Sequence, residues 1–162
     1  MQRRGAKSLF SLSTLLASFF GAAMIAVAFA YFNYKFSEYK FIDFSEWTYY
    51  EKNALFSPQE ERYIVIFYSS KDTKTLELLN TIDLGLPLLA IDYYNSAREN
   101  SGSTIFLRSG TKTSLSFIQR FNIYESPSLF FIKKHHEQLY KQDSMIRKLD
   151  NLEDLSKAIE SL

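Results

Sequence analysis

The chain contains no cysteine, only two histidines, five glycines and three prolines among its 162 residues. Without a thiol there is no disulfide, no cysteine nucleophile and no thiolate metal site. The histidines, His135 and His136, are adjacent. Neighbouring residues of a strand point to opposite faces and in a turn they diverge, so the pair reads as an exposed turn rather than a metal site. No glycine-rich phosphate loop, carboxylate cluster or cofactor motif is visible. Nor is there the basic stripe that nucleic acid requires: the formal net charge is +1, and the part beyond the first few residues is close to neutral. Scarce glycine and proline beside 15 Phe and 11 Tyr point to a compact body with few long flexible loops.

Charge is also missing from one long stretch. Residues 9–32, Leu9 to Phe32, carry none, and Arg3, Arg4 and Lys7 precede them. A helix needs about 20 apolar residues to cross a hydrocarbon core, so this stretch is long enough to span a membrane. The basic residues before it, against the mixed Lys35, Glu38, Lys40 and Asp43 after it, would keep residues 1–8 in the cytoplasm and send residues 33–162 across. The rival is a cleaved signal peptide, for which Ala28-Phe29-Ala30 offers a small-x-small cleavage pattern. Its apolar core would be longer than the usual 7–15 residues or so, and Tyr31 and Phe32 extend it with interface-type aromatics. The uncleaved signal anchor is therefore the expectation.

Within the span, Thr14, Ser18, Ala22, Ala26 and Ala30 recur every four residues, with Gly21 beside them. On a helix of 3.6 residues per turn they form a slowly rotating ridge of small side chains. Small ridges let helices approach closely in lipid. Ser18, Gly21, Ala22, Ala26 and Ala30 are thus candidates for contact with a second copy or another membrane protein; the other reading is that alanine and serine are merely tolerated there.

The remaining 130 residues or so suffice for one domain with a real core. The spacing of Phe44, Trp47 and Tyr50/Glu51 after a cap at Asp43 or Ser45 predicts a short helix. Arg62 to Tyr68 is a continuous β-branched and aromatic run, the mark of a strand covered on both faces. Ser69, Ser70 and Asp72 are N-cap candidates for a helix through Leu76, Leu78, Leu79 and Ile82, stopped at Gly85. Leu86 to Tyr93 is a second buried strand with Pro87 near its start. Two apolar strands around a helix imply a parallel βαβ unit. Asn95 to Thr113 is polar and reads as an inserted loop with a short extended piece at Ile105-Phe106-Leu107; Ser114 to Phe121 fits a two-turn helix. Ser128 to Lys133 is a third buried strand, turning at His135-His136-Glu137 into an antiparallel Gln138 to Gln142. Asp150 or Asn151 would cap a final amphipathic helix with Leu152, Leu155, Ile159 and Leu162 on one face.

This order, and above all Phe121-Asn-Ile-Tyr-Glu-Ser-Pro127-Ser-Leu-Phe-Phe-Ile-Lys133, resembles the thioredoxin-like family over residues 36–162. The resemblance implies an α/β fold: a central mixed sheet flanked by helices, here preceded by one transmembrane helix. It also implies that Pro127 is a cis-proline opening a core strand, with Ser126 facing the family's active site. The family's redox motif would fall on Tyr68-Ser-Ser-Lys-Asp-Thr-Lys-Thr75, with Asp72 and Thr75 where two cysteines stand and Ile66 where a buried acid stands. Disulfide exchange needs a thiolate, and neither aspartate nor threonine supplies one, so the resemblance speaks for the fold and against the activity. Asp72 reads as a helix cap, Lys71 and Lys74 as solvated, and Ser69 and Ser70 have no histidine in plausible reach to act as base.

No catalytic, metal or small-molecule site is therefore expected, and the chain is expected not to be an enzyme. The first expectation is a structural or adaptor subunit of a cell-envelope assembly for secretion, motility or cell-wall work, with envelope proteins as partners. Abundant Phe, Tyr, Lys, Ser and Asn suggest an AT-rich bacterial genome, an inner membrane and a periplasmic domain; the eukaryotic equivalent is the lumen of the endoplasmic reticulum. The alternative is a peptide-groove chaperone, or an accessory to redox and protein maturation, that pairs a bound peptide with Ser126 beside Pro127, Lys71 and Asp72 at the rim. Residual enzymatic chemistry of another kind is the third.

Overall fold

The computed structural model describes residues 11–38, 41–82 and 84–149. The chain divides into two compact units, Met1–Glu38 and Tyr39–Leu162. The first contains helix α1, Leu12–Glu38. Its segment Leu12–Tyr34, with a mean hydropathy of 2.1, is long and apolar enough to cross a membrane. The helix runs past Phe32, so the boundary drawn there from charge alone falls inside a continuous element. The expected final helix, with Asp150, Asn151, Leu152, Leu155, Ile159 and Leu162, lies outside the described residues.

The second unit is a mixed, curled sheet flanked by helices. Its strands are β1 (Phe41–Asp43), β2 (Tyr49–Glu51), β3 (Ala54–Leu55), β4 (Arg62–Tyr68), β5 (Leu88–Asp92), β6 (Thr104–Ser109), β7 (Ser128–His136), β8 (Leu139–Gln142) and β9 (Arg147–Lys148). Their order across the sheet is β1-β8-β7-β4-β5-β6-β2-β3, and β9 pairs with β7. Strands β4, β5 and β6 are mutually parallel, while β7 runs antiparallel to β4. Helix α2 (Thr73–Thr81) connects β4 to β5, and α3 (Thr111–Phe121) connects β6 to β7.

The apolar runs become central strands because both sheet faces are covered. On one face, Ile64, Ile66, Leu88, Ala90, Leu129 and Phe131 pack with Leu76 and Leu79 of α2. On the other, Val65, Phe67, Leu89, Ile91, Phe130 and Ile132 pack with Phe117 and Phe121 of α3. Phe117 is the hub of the second face. Its ring lies 4.8 Å from Phe121, 5.7 Å from Phe67, 6.0 Å from Phe130 and 6.2 Å from Trp47. Edge-to-face and offset rings at such separations add specific attraction to the area they bury.

Three local expectations are corrected. The predicted helix after Asp43 is a turn followed by strand β2. The Asp43 carboxylate accepts from Ser45 N at 2.9 Å and Ser45 Oγ at 2.6 Å, and Trp47 N donates to Asp43 O at 2.8 Å. One turn therefore buries Phe44 and Trp47 without a helix, and Tyr49–Glu51 is taken up by antiparallel pairing with β6. The polar stretch 95–113 is not a loop with a short extended piece: it contains the six-residue strand β6, parallel to β5. Its buried ends are polar but paired, Thr104 Oγ1 donating to Leu79 O at 3.0 Å and Ser109 N to Asn95 Oδ1 at 2.8 Å. Finally, His135 and His136 belong to β7, and a register shift between Lys134 and His136 brings their rings within 4.4 Å. Strict alternation would have separated them; the bulge cancels it.

Candidate functional site

The C-terminal ends of β4 and β5 meet the start of α2 and the start of β7. Tyr68 and Asp92 end β4 and β5 in register with each other. Asp92 is buried, at 1% exposure, and its carboxylate accepts from Ser70 N at 2.9 Å, Tyr94 N at 3.1 Å and Ser96 N at 2.7 Å. Two of these charge-assisted bonds go to Oδ1 and one to Oδ2. Burial pushes the Tyr68 phenol well above its ordinary range, and the Asp92 charge adds to the rise. Asp92 was not singled out from the sequence; its place at the end of an apolar run before a polar loop was the available signal.

Asp72 is the N-cap of α2, with extended backbone (φ −88°, ψ 97°). Its Oδ1 accepts from Lys74 N at 3.1 Å and Thr75 N at 3.4 Å, and Thr75 Oγ1 donates to its Oδ2 at 2.6 Å. The Thr75 hydroxyl is the main reason the Asp72 carboxyl titrates below its usual range, backbone bonds and the Lys74 charge adding to it against a partial desolvation. The two positions that the family resemblance matches to cysteines thus bind each other. Ile66, at the position of the family's acid, is completely buried against α2.

Ser126 is exposed, and the Ser126–Pro127 bond is cis. Asp72, Thr75, Leu78, Ser126 and Pro127 line an open depression of about 350 Å³, and Lys74, Lys148 and Leu149 complete its wall. The sequence places Asp72 and Thr75 together at the family's motif but does not mark Lys74, Leu78, Lys148 and Leu149 as members of this site. Lys71 is not part of its lining: its ammonium sits 4.2 Å above the ring of Tyr94, a cation–π contact. The edge of β7 beyond Pro127 is already occupied. Ser128 and Leu129 pair with Lys148 and Arg147, and Leu149 N donates to Pro127 O at 2.9 Å.

The residues of the small ridge, Ser18, Gly21, Ala22, Ala26 and Ala30, are all exposed on α1. Ser18 Oγ donates to Thr14 O at 2.9 Å, so its hydroxyl is satisfied within the helix. Phe20, Met24, Val27 and Tyr31 fall on the opposite side. Among the described residues, no three His, Asp or Glu side chains are grouped to hold a metal ion.

No family model matches the chain, and no curated protein matches it. Among solved structures, a conserved protein of unknown function from Bacteroides fragilis is similar at 16% identity and a TM-score of 0.44, over 68% of this chain and 91% of that one. At that TM-score the likeness carries nothing about function.

Proposed function

We propose that this chain is a non-catalytic, membrane-anchored adaptor of thioredoxin-like fold that serves as a structural subunit of a bacterial envelope assembly. In this reading α1 stays uncleaved in the inner membrane, residues 1–8 remain in the cytoplasm and the sheet domain lies in the periplasm. The bond between Thr75 Oγ1 and Asp72 Oδ2 carries the reading. It turns the place of a redox pair into a helix cap, whose role is stability. The strand order β8-β7-β4-β5, with β4 and β5 parallel around α2 and β7 antiparallel, supports the fold assignment.

The peptide-groove reading is favoured by the depression beside Ser126 and Pro127. Against it, the strand edge that would grip a peptide is closed by the chain's own Leu149 and β9 from Pro127 onward. Only Ser126 is left for backbone addition, too little for the row of main-chain bonds on which that mode depends.

A pull-down of the tagged full-length protein in gentle detergent, read by mass spectrometry, tests the choice. A small stoichiometric set of envelope proteins is expected, reduced when Ala22 and Ala26 are both replaced by leucine if the ridge is an interface. A broad, substoichiometric set of exported proteins that depends on Ser126 and Pro127 would replace the adaptor by a chaperone.

A further inference from the structure

At the opposite end of the central strands from Asp72, cross-strand register puts four residues in one row on one face. Arg62 of β4 faces Lys133 of β7, Lys133 faces Lys141 of β8, and Lys141 faces Phe41 of β1. Directly opposed residues share a face. Arg62, Lys133 and Lys141 are exposed, and the exposed His135 ring packs 5.2 Å from Phe41. The Lys141 ammonium lies 6.0 Å from the same Phe41 ring. Among the described residues, Asp143, 3.5 Å from Arg62, answers part of this charge.

Two successive like-charge pairs are unfavourable for the sheet itself. Lysines often guard a sheet edge against pairing, yet β4 and β7 are interior strands. The row therefore fits an anionic partner better than a purpose inside the fold. Its outer member belongs to β1, and Phe41 follows Tyr34, the last residue of the apolar segment, by only seven positions. Phe41 alone of the row is close in sequence to the span; the three cations are brought beside it by strand pairing, and basic residues held near a bilayer surface are attracted to its anionic headgroups.

We propose that the row Phe41, Lys141, Lys133 and Arg62 rests on the anionic phospholipid headgroups of the bilayer that holds α1. This rests on the membrane-anchored reading above. The contact would fix which side of the domain faces the lipid and which side is left for partners.

The absence of cysteine allows a single-site probe in the full-length protein. Glu137→Cys, at the tip of the β7–β8 hairpin whose strands carry Lys133 and Lys141, is labelled with an environment-sensitive fluorophore; Tyr124→Cys is the control. Each is reconstituted into vesicles of phosphatidylcholine alone or with three parts in ten phosphatidylglycerol. The expected result is a shift to shorter wavelength at position 137 only, only with phosphatidylglycerol, reversed by high salt and lost in K133E/K141E. Flotation of the vesicles separates the two readings. Protein that floats while the probe at 137 stays water-like on both vesicles overturns the headgroup contact and leaves the anchor standing. Protein that floats with neither vesicle removes the anchor and the proposal with it. A probe shifted by polyglutamate but not by phosphatidylglycerol assigns the row to an acidic protein and also overturns it.

Discussion

The two ends of the central strands are built on opposite terms. At the end where β4 and β5 meet α2, the two acids and Lys71 have their answer inside the chain: Asp92 in three backbone amides, Asp72 in Thr75 and the first turn of α2, Lys71 in the ring of Tyr94. At the other end, Arg62, Lys133 and Lys141 stand side by side, with Asp143 as partial relief. A region whose acids are satisfied from within gains stability and has less to offer a ligand. A region that tolerates repulsion holds interaction capacity that only something outside the fold can use. The comparison inverts what the family resemblance implies, since it would place the working surface at the first end.

The largest expected effect belongs to the satisfied end. Asp92→Ala should lower stability by about 3 kcal/mol, because three backbone amides lose a charged acceptor in a buried place. Chemical unfolding of the purified protein measures it; a loss below about 1 kcal/mol would mean that the carboxylate is not the organiser of that end. Asp72→Ala should cost about 1 kcal/mol, the usual worth of an N-cap, with partner recovery unchanged. Because hydrogen bonding holds the Asp72 carboxyl below its ordinary range, its contribution is present above the unfolded pKa, about 3.9, and is lost as pH falls through the lower folded value. The gap between wild type and Asp72→Ala should thus be constant near neutrality and close in acid. A gap that persists at the lowest pH would mean the substitution acts through packing.

The smallest effect, and the sharpest for the comparison, is a gain. Lys133→Glu converts two repulsive pairs into attractive ones and should stabilise the lipid-free protein by roughly 0.5 kcal/mol at low salt. The gain should fade toward 1 M salt, where the screening length is about 3 Å. A destabilised Lys133→Glu at low salt would show that the row is already satisfied, and the two ends would no longer differ.

What could be read in the sequence follows how local each determinant is. The runs Arg62 to Tyr68, Leu86 to Tyr93 and Ser128 to Lys133 announce buried strands because a strand covered on both faces needs apolar residues at every position. Asp72 is legible as a cap, since its partners lie within three residues. Phe44 and Trp47 misled because a spacing of three suits one tight turn as well as a helix, and pairing of Tyr49–Glu51 with β6 is a long-range fact. Strand β6 was concealed by its polar ends, which the fold answers through Leu79 O and Asn95. The approach of His135 to His136 depends on a bulge, and the cationic row on register across four strands. Both are set by pairing between distant segments, so no window of sequence contains them.

The sheet's outer margins have a consequence of their own. Its interior strands β4 and β7 are seven and nine residues long, whereas among the described residues the margins are the three residues of β1 and the two of β3. A margin so short offers too few free amides and carbonyls to template another chain. Copies confined to one bilayer would collide far more often than copies dispersed in a cell volume. In the membrane-anchored state proposed above, truncated margins would let such crowding proceed without polymerisation, so that association would be made by side chains rather than by backbone.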